Sequence, residues 1–308
     1  MTDARPTALL AIDWGTTSAR AYRLDAAGTV LARRDAPLGI QSVVDHRFDR
    51  ALDALLGDWR GDAAPRIACG MIGSRQGWRE APYVECPADL AGLGGALTRT
   101  PGGELAIVPG ARCVDPAGVP DVMRGEETQL AGALMSDEGR VLAVLPGTHS
   151  KWAMIERGAL VRFATFMTGE LYAVLLEHSL LGRMADRGAR PAAAGPMFAR
   201  GAERGLAEGG FAHVIFGART LALSGELAAV DVGDWLSGVL IGHEIRAARA
   251  WAQACGGDAK RVLVIGGDAI VARYAGALAQ AGVDAELGPA DAAARGLFRI
   301  ARNAGLVH

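Results

Sequence analysis

Cysteine is scarce in this 308-residue chain, and aromatic residues make up only 6 % of it. The four cysteines, Cys69, Cys86, Cys113 and Cys255, contain no CxxC pair. Such wide, irregular spacing argues against a structural zinc site and a disulfide scaffold, and predicts reduced thiols in a cytoplasm. An excess of one charge is also missing: 32 basic against 34 acidic residues leave a net charge of −2. That balance gives no reason to expect a nucleic-acid partner, although a local arginine cluster would still serve a small acidic ligand. Long hydrophobic runs are absent too. The apolar stretch at 8–12 is too short for a signal core and ends in Asp13, and no window approaches the ~18 apolar residues of a membrane span. The expectation is a soluble protein without a membrane partner. Two nucleotide signatures are lacking, GxxxxGK[ST] anywhere and GxGxxG after the first strand, which excludes a P-loop and a dinucleotide fingerprint. The histidines show no ligand spacing, so no histidine metal site is expected.

What is present is a foldable composition. Apolar residues are 50 % and charged residues 21 %, which excludes a disordered chain and allows two domains of ordinary size. The 42 glycines are about twice the usual share. They follow no collagen period, so tight turns and close backbone approaches are the expected cause.

Residues 7–12 read as a buried strand that ends in the polar turn Asp13-Trp14-Gly15-Thr16-Thr17-Ser18. Alternation over 19–25 gives a second strand, Asp25-Ala26-Ala27-Gly28 a hairpin turn, and 29–33 its partner. Helical spacing over 48–59 puts Phe48, Leu52, Leu55, Leu56 and Trp59 on one face. A short strand at 66–71 runs into the glycine loop 70–78. Residues 79–120 are rich in proline and glycine, with one clear strand at 105–110. A helix over 126–134 opens on acidic residues, as the helix dipole favours. A polar break at 135–140 precedes a buried strand at 141–145, the turn Pro146-Gly147-Thr148-His149-Ser150, and a hairpin over 151–163. Further along, helices are expected at 169–181, 235–251, 270–278 and 291–300, with a loop at 186–196. A strand at 261–265 feeds Gly266-Gly267-Asp268.

Strand, small-residue turn, strand, hairpin therefore occurs twice. Two related halves facing each other across a cleft would explain it; so would chance recurrence of Gly-Thr turns in a glycine-rich chain. Domains of 1–138 and 139–308 follow from the polar break, with the terminal helix able to cross back to the first.

Three buried strands end in turns whose backbone N–H groups suit phosphate oxygens: Gly15 to Ser18, Gly147 to Ser150, and Gly266-Gly267. Thr16, Thr17, Ser18, Thr148 and Ser150 add hydroxyls. Asp13 at a strand end suits Mg²⁺ beside phosphates, or an Asx-type cap. Lys151 would neutralise phosphate or be an ordinary exposed lysine, and His149 would bond a ligand or fill the turn. Glu126 and Glu127 open a helix; either would accept a proton from a substrate hydroxyl, or simply cap the helix. Arg75, Gln76 and Trp78 offer a guanidinium, an amide and an aromatic surface, which suit a polar organic acid or a surface loop with a half-buried tryptophan.

The run Ile12-Asp13-Trp14-Gly15-Thr16-Thr17-Ser18-Ala19-Arg20 resembles the 2-dehydro-3-deoxygalactonokinase family, within the sugar-kinase, heat-shock and actin-like ATPase superfamily. The resemblance continues through residues 70–78, 124–129, 146–152, 166–171 and 236–245, and ends near Gly266-Gly267. It covers nearly the whole chain in order.

The resemblance implies an α/β fold of two actin-like (ribonuclease H-like) domains with mixed sheets flanking a nucleotide cleft. The first would hold the sugar-acid site and the second the adenosine site. It implies ATP and Mg²⁺, with Asp13 near the metal and Gly15, Thr16, Thr17 and Ser18 as the first phosphate motif. Gly147, Thr148, His149, Ser150 and Lys151 would form the second phosphate motif, and Gly266 and Gly267 the adenosine motif. Gly125-Glu126-Glu127-Thr128 resembles the Gly-Asp-Gln-Gln base motif of related carbohydrate kinases, which implies Glu126 as the base and leaves Glu127 open. Arg75 is the first choice for reading the sugar-acid carboxylate, with Arg20 and Arg162 as alternatives. The implied reaction is ATP-dependent phosphorylation of 2-dehydro-3-deoxy-D-galactonate at its 6-hydroxyl. A kinase for another sugar acid, or a nucleotide-dependent sensor on the same fold, are the alternatives. A homo-oligomer is compatible with either.

Overall fold

A computed structural model of the chain describes residues 5–134, 139–186, 188 and 194–307. Most of the expected polar break at 135–140, and much of the loop at 186–196, lie outside the described residues. The chain divides into two compact units, one of Met1–Gly139, Glu156–Arg162 and Asp291–His308, the other of Arg140–Ile155 and Phe163–Ala290. Residues 291–308 thus belong with the first unit, against a continuous second domain of 139–308. Among the described residues no helix is long and apolar enough to cross a membrane.

The first unit opens with β1 (Leu9–Trp14), β2 (Ala19–Leu24) and β3 (Val30–Ala36), followed by helix α1 (Phe48–Leu56). Then come β4 (Arg66–Gly70), β5 (Tyr83–Glu85), β6 (Ala88–Asp89), β7 (Thr98–Arg99), β8 (Ala106–Ile107), β9 (Gly110–Val114), β10 (Pro120–Met123) and helix α2 (Glu126–Ala133). Its main sheet has the order β3-β2-β1-β4-β8-β7. The β1–β2 and β2–β3 pairs are antiparallel, while β1–β4 and β4–β8 are parallel, so the sheet is mixed. Strand β1 is apolar on both faces because it is central and covered on both, which is why it reads as an unbroken run. Leu10, Ile12 and Trp14 share a core with Phe48, Leu52 and Leu56 of α1. The helix stops at Leu56 rather than 59, because Gly57 at φ +53° turns the chain into a 3₁₀ segment.

The second unit contains β11 (Arg140–Leu145), most of β12 (Ser150–Glu156) and the end of β13 (Ala159–Phe166), followed by α3 (Thr168–His178), α4 (Pro196–Leu206), α5 (Phe211–Val214), α6 (Gly217–Leu223) and α7 (Val232–Ala254). Strand β14 (Arg261–Val264), α8 (Asp268–Gln280) and β15 (Asp284–Leu287) complete it, and α9 (Ala292–Asn303) returns to the first unit. Its strands run β15-β14-β11-β12-β13. The β11–β14 and β14–β15 pairs are parallel. Val144, Trp152, Val262 and Val264 of this sheet pack with Phe198 of α4, Ile241 and Ile245 of α7, and Tyr274 of α8. Both units are therefore α/β layers, with polar turns at the ends of their central strands.

Candidate active site

In the first unit the site begins at the end of β1. Asp13 pairs in register with Arg20 on β2 and Cys69 on β4, so all three side chains project from one face of the sheet. The Asp13 carboxylate is 13 % exposed, accepts from Arg20 Nη1 at 3.3 Å and from the Cys69 thiol at 3.9 Å. Burial raises its pKa above the usual carboxylate range, against the pull of Arg20, and Glu126 adds to the rise. The turn that follows is held by its own backbone. Gly15 N–H donates to Ser18 O at 2.9 Å, and the N–H groups of Ile40 and Gln41 donate to the carbonyls of Gly15 and Thr16. Thr16, Thr17 and Ser18 are left exposed.

Two glycines bring the next element close. Gly70 at the end of β4 has φ +90°, and Gly125 before α2 has φ +107°. A Cβ on Gly70 would sit 2.7 Å from Trp14 O, and one on Gly125 would sit 3.2 Å from Gly70 Cα. This tight approach sets the first turn of α2 near Asp13. The two acids there differ sharply. Glu127 is fully buried; its carboxylate accepts from Gly125 N–H at 2.7 Å and from the Thr128 hydroxyl at 2.9 Å. Burial, then the charge of Glu126, pushes its pKa up to about 7. Glu126 is partly exposed and accepts from Arg124 N–H at 3.0 Å.

The glycine loop places its residues differently from one another. Arg75 points outward, 89 % exposed, with Glu80 at 3.8 Å, and Gln76 is exposed. Trp78 stacks on Phe48, centroids 6.2 Å apart, and packs on the core. Arg20 is divided between Asp13 and Asp35, and Arg162 lies on β13 among the residues counted with the first unit.

In the second unit the turn after β11 leaves Gly147, Thr148 and His149 exposed and Ser150 buried. Helix α3 begins against it. A Cβ on Gly169 would lie 2.4 Å from Gly147 O, and Glu170 N–H donates to Thr148 O at 3.0 Å. His149 pairs with the Glu170 carboxylate. Lys151 is 5 % exposed and donates to His149 O at 3.2 Å, so it is folded under the turn rather than out in solvent. Behind the turn, Ser150 Oγ lies 2.8 Å from Tyr274 Oη, whose hydroxyl donates to Glu244 at 2.7 Å, and Trp152 Nε1 donates to the same carboxyl at 2.7 Å. Burial raises the Glu244 pKa against these hydrogen bonds. The network ties β12, α7 and α8 together beneath the turn.

A cavity of about 330 Å³ opens beside this turn, lined by Gly147, Thr168, Gly169, Tyr172, Ile270 and Arg273 among others. Arg273, 6 % exposed, donates to Asp234 at 2.5 Å and lies 4.9 Å over the Phe198 ring. Gly266 and Gly267 precede α8, whose first turn supplies Ala269 and Ile270 to the cavity wall. An apolar wall with a few polar groups suits a flat heteroaromatic ligand with phosphates at the exposed turn.

The sequence reading missed Tyr172, Arg273, Tyr274, Glu244 and Arg124. Arg124 is the one whose signal was in view, since it directly precedes Gly125-Glu126. No disulfide joins the cysteines among the described residues.

A model of the family 2-keto-3-deoxy-galactonokinase matches residues 13–300. A Rhizobium meliloti (strain 1021) protein named "Probable 2-dehydro-3-deoxygalactonokinase DgoK1" is 38 % identical, over 95 % of this chain and 96 % of its own. The 2-dehydro-3-deoxygalactonokinase of Escherichia coli (strain K12) is 35 % identical, over 89 % and 90 %. A crystal structure of a Sinorhizobium meliloti protein, described as "a putative 2-dehydro-3-deoxygalactonokinase protein", superposes with a TM-score of 0.86 at 36 % identity, covering 96 % of both chains.

Proposed function

The chain belongs to the 2-keto-3-deoxy-galactonokinase family, and from that premise we propose that it transfers the γ-phosphoryl group of ATP to the 6-hydroxyl of 2-dehydro-3-deoxy-D-galactonate. The products are ADP and the 6-phosphate. Phosphoryl transfer asks a protein mainly to align the acceptor oxygen with the γ-phosphorus and to offset charge on the transferring group. The observation that carries the reading is the partly exposed Glu126 carboxylate at the start of α2, electrostatically coupled to Asp13.

Glu126 accepts the proton of the attacking hydroxyl. Its partial exposure supports that role, whereas Glu127 is enclosed and already engaged by Gly125 and Thr128. The exposed backbone and hydroxyls of Thr16, Thr17 and Ser18, and of Gly147 and Thr148, bind phosphate oxygens. Lys151 and His149 stiffen the second turn from beneath and beside it. The cavity behind Gly147 takes the adenosine part, with Gly266 and Gly267 letting it lie close to backbone.

Asp13 is the carboxylate that would hold Mg²⁺. Among the described residues no three His, Cys, Asp or Glu side chains stand together as a metal cage. Mg²⁺ needs fewer, because it keeps several waters and is usually bound through one or two carboxylates plus substrate phosphates. A single carboxylate held at 13 % exposure, beside an exposed phosphate-type turn, fits that demand. When bound, magnesium supplies charge neutralisation on the phosphates. Asp13 orients it, and Arg20 partly balances Asp13 in its absence.

A panel of sugar acids and neutral sugars, assayed with ATP and Mg²⁺, tests the proposal. Rapid turnover of 2-dehydro-3-deoxy-D-galactonate with phosphate on O6, read by phosphorus NMR, is expected. Faster turnover of a different sugar acid moves the substrate assignment. Nucleotide binding without transfer to any acceptor supports a sensor instead.

A further inference from the structure

Arg124 carries an imbalance that its visible contacts do not resolve. The residue is 9 % exposed. Its Nη2 donates to Ala81 O at 2.8 Å, and its guanidinium lies 4.3 Å over the Tyr83 ring. Nε and Nη1 are buried and have no hydrogen-bond partner among the described residues. The Ser74 hydroxyl oxygen is in the same state. The guanidinium reaches the loop at Gly73, where an added Cβ would lie 3.0 Å from Arg124 Nη1, and Ser74 follows Gly73 in the chain. Ala81 N–H in turn donates to Gly73 O at 2.9 Å, so the guanidinium sits under the loop that runs from Gly73 to Ala81.

A guanidinium does not discharge on burial, so its unbonded N–H groups bear a full desolvation cost. Bracing the loop would explain Nη2 and the Tyr83 contact and nothing more. A purely structural brace would be as well served by an uncharged donor. Two unbonded donors on a buried cation, with an unbonded hydroxyl one residue from the glycine it touches, suit a carboxylate. Arg124 also stands two residues before the proposed base in sequence. Arg124 N–H donates to Glu126, two residues on, at 3.0 Å.

We infer that Arg124 and the Ser74 hydroxyl bind the carboxylate of the acceptor, a role that rests on the kinase reading above. Arg124 then does what an exposed side chain does poorly. Arg75, 89 % exposed, would meet a carboxylate in high dielectric and discriminate little. A buried cation left unpaired by a neutral analogue rejects that analogue strongly.

The test compares the sugar acid with its C1 amide, which keeps the shape and removes the charge. Wild type, Arg124→Met, Arg124→Lys and Ser74→Ala are assayed for kcat and for the KM of acceptor and ATP. Wild type is expected to prefer the acid by about 100-fold in kcat/KM, and Arg124→Met to lose most of that preference through the acid alone. The KM of ATP should stay within about threefold of wild type in every variant, since the adenosine cavity lies in the other unit. Arg124→Lys should fall between, and Ser74→Ala should lose about fivefold on the acid. Equal losses on acid and amide would mark Arg124 as a loop brace and overturn the inference. So would an unchanged ratio. If Arg124→Met does not fold, the same ratio in Arg124→Lys and Ser74→Ala decides. A wild type inert toward every sugar acid removes the kinase reading and this inference with it; a wild type active on the acid, with ratios unmoved by the variants, removes this inference alone.

Discussion

At the end of β1 the side chains nearest the turn are ionisable: Asp13, Arg20, Cys69, and the paired acids that begin α2. At the end of β11 the support is a relay of hydroxyl, phenol and indole on one buried carboxyl, with a mostly apolar cavity beside it. The same strand-and-turn plan is thus furnished in two ways. Burial raises the Asp13 and Glu127 carboxyls, and the nearby charge of Glu126 adds to both rises. A relay whose members satisfy one another holds a backbone still and exchanges nothing. Under the proposed function the first turn serves the chemistry and the second serves binding. Each variant below is a way to break that division.

The largest effect is expected at the acids. Glu126→Gln keeps the shape and removes the proton acceptor, so kcat should fall by about 1,000-fold while nucleotide Kd stays within about twofold. Glu127→Gln should cost about tenfold or less, because neighbouring residues of a helix point about 100° apart and Glu127 faces inward. Paired steady-state kinetics with nucleotide titrations decide it, and collapse of the Glu127 variant alone would exchange the two roles. Asp13→Asn should likewise reduce turnover by about 100-fold or more and weaken its dependence on Mg²⁺ concentration.

Next is Gly169→Ala. Its Cβ would meet Gly147 O at 2.4 Å, so the second turn must shift. The KM of ATP should rise about tenfold with the acceptor KM unchanged. If the acceptor KM moves instead, the binding role belongs elsewhere.

A subtler effect is the pH dependence of stability contributed by Glu127. Its folded pKa of about 7 lies above the usual value of 4.5, so between these values the folded state binds more protons than the unfolded one. The stabilisation is complete below pH ~4.5 and is lost as pH rises through about 7, by about 3 kcal/mol in all. Glu127→Gln should flatten that decline. Denaturant titrations at pH 5, 6, 7 and 8 measure it, and equal slopes for both proteins would refute it.

The smallest effect is expected at Arg75→Ala: stability within about 0.5 kcal/mol and acceptor KM within about twofold, since Arg75 is 89 % exposed and its acidic neighbour, 3.8 Å away, is exposed too. A tenfold rise in acceptor KM would return the carboxylate to the glycine loop.

The elements legible in the sequence were those whose pattern is local. Strand β1 shows itself because burial on both faces makes it continuously apolar, and α1 because Phe48, Leu52, Leu55 and Leu56 repeat at helical spacing. Residues 79–120 did not yield β5, β6, β7, β9 and β10, which are two to five residues long and set among prolines and glycines. Helix α4 was hidden because Gly201 and Gly205 lower its propensity; packing against α7 uses those glycines, with Cβ positions 2.1 and 2.2 Å from carbonyls of Trp235 and Val239. The turns of the site were visible as small polar residues after apolar strands. Their supports were not. Ser150 and Tyr274 are 124 positions apart, and Trp152 and Glu244 are 92 apart, so no spacing rule joins them. Whether Arg75 or Arg124 is sheltered depends on how the loop turns, which composition does not encode.

Helix α9 has a consequence for synthesis. It packs on α2 through glycines on each side: a Cβ on Gly132 would lie 1.9 Å from Ala292 O, and one on Gly296 would lie 1.8 Å from Thr128 O. Arg299 also closes two carbonyls at the end of α2, those of Ala131 and Leu134. The first unit therefore joins segments that lie before and after the second in sequence, while nearly all of the second comes from the stretch between them. During synthesis the second unit has its parts in hand before α9 emerges, and the first unit must wait for α9. A premature stop near position 290 would spare every residue proposed to touch substrate, yet strip the helix that holds Glu126 in place.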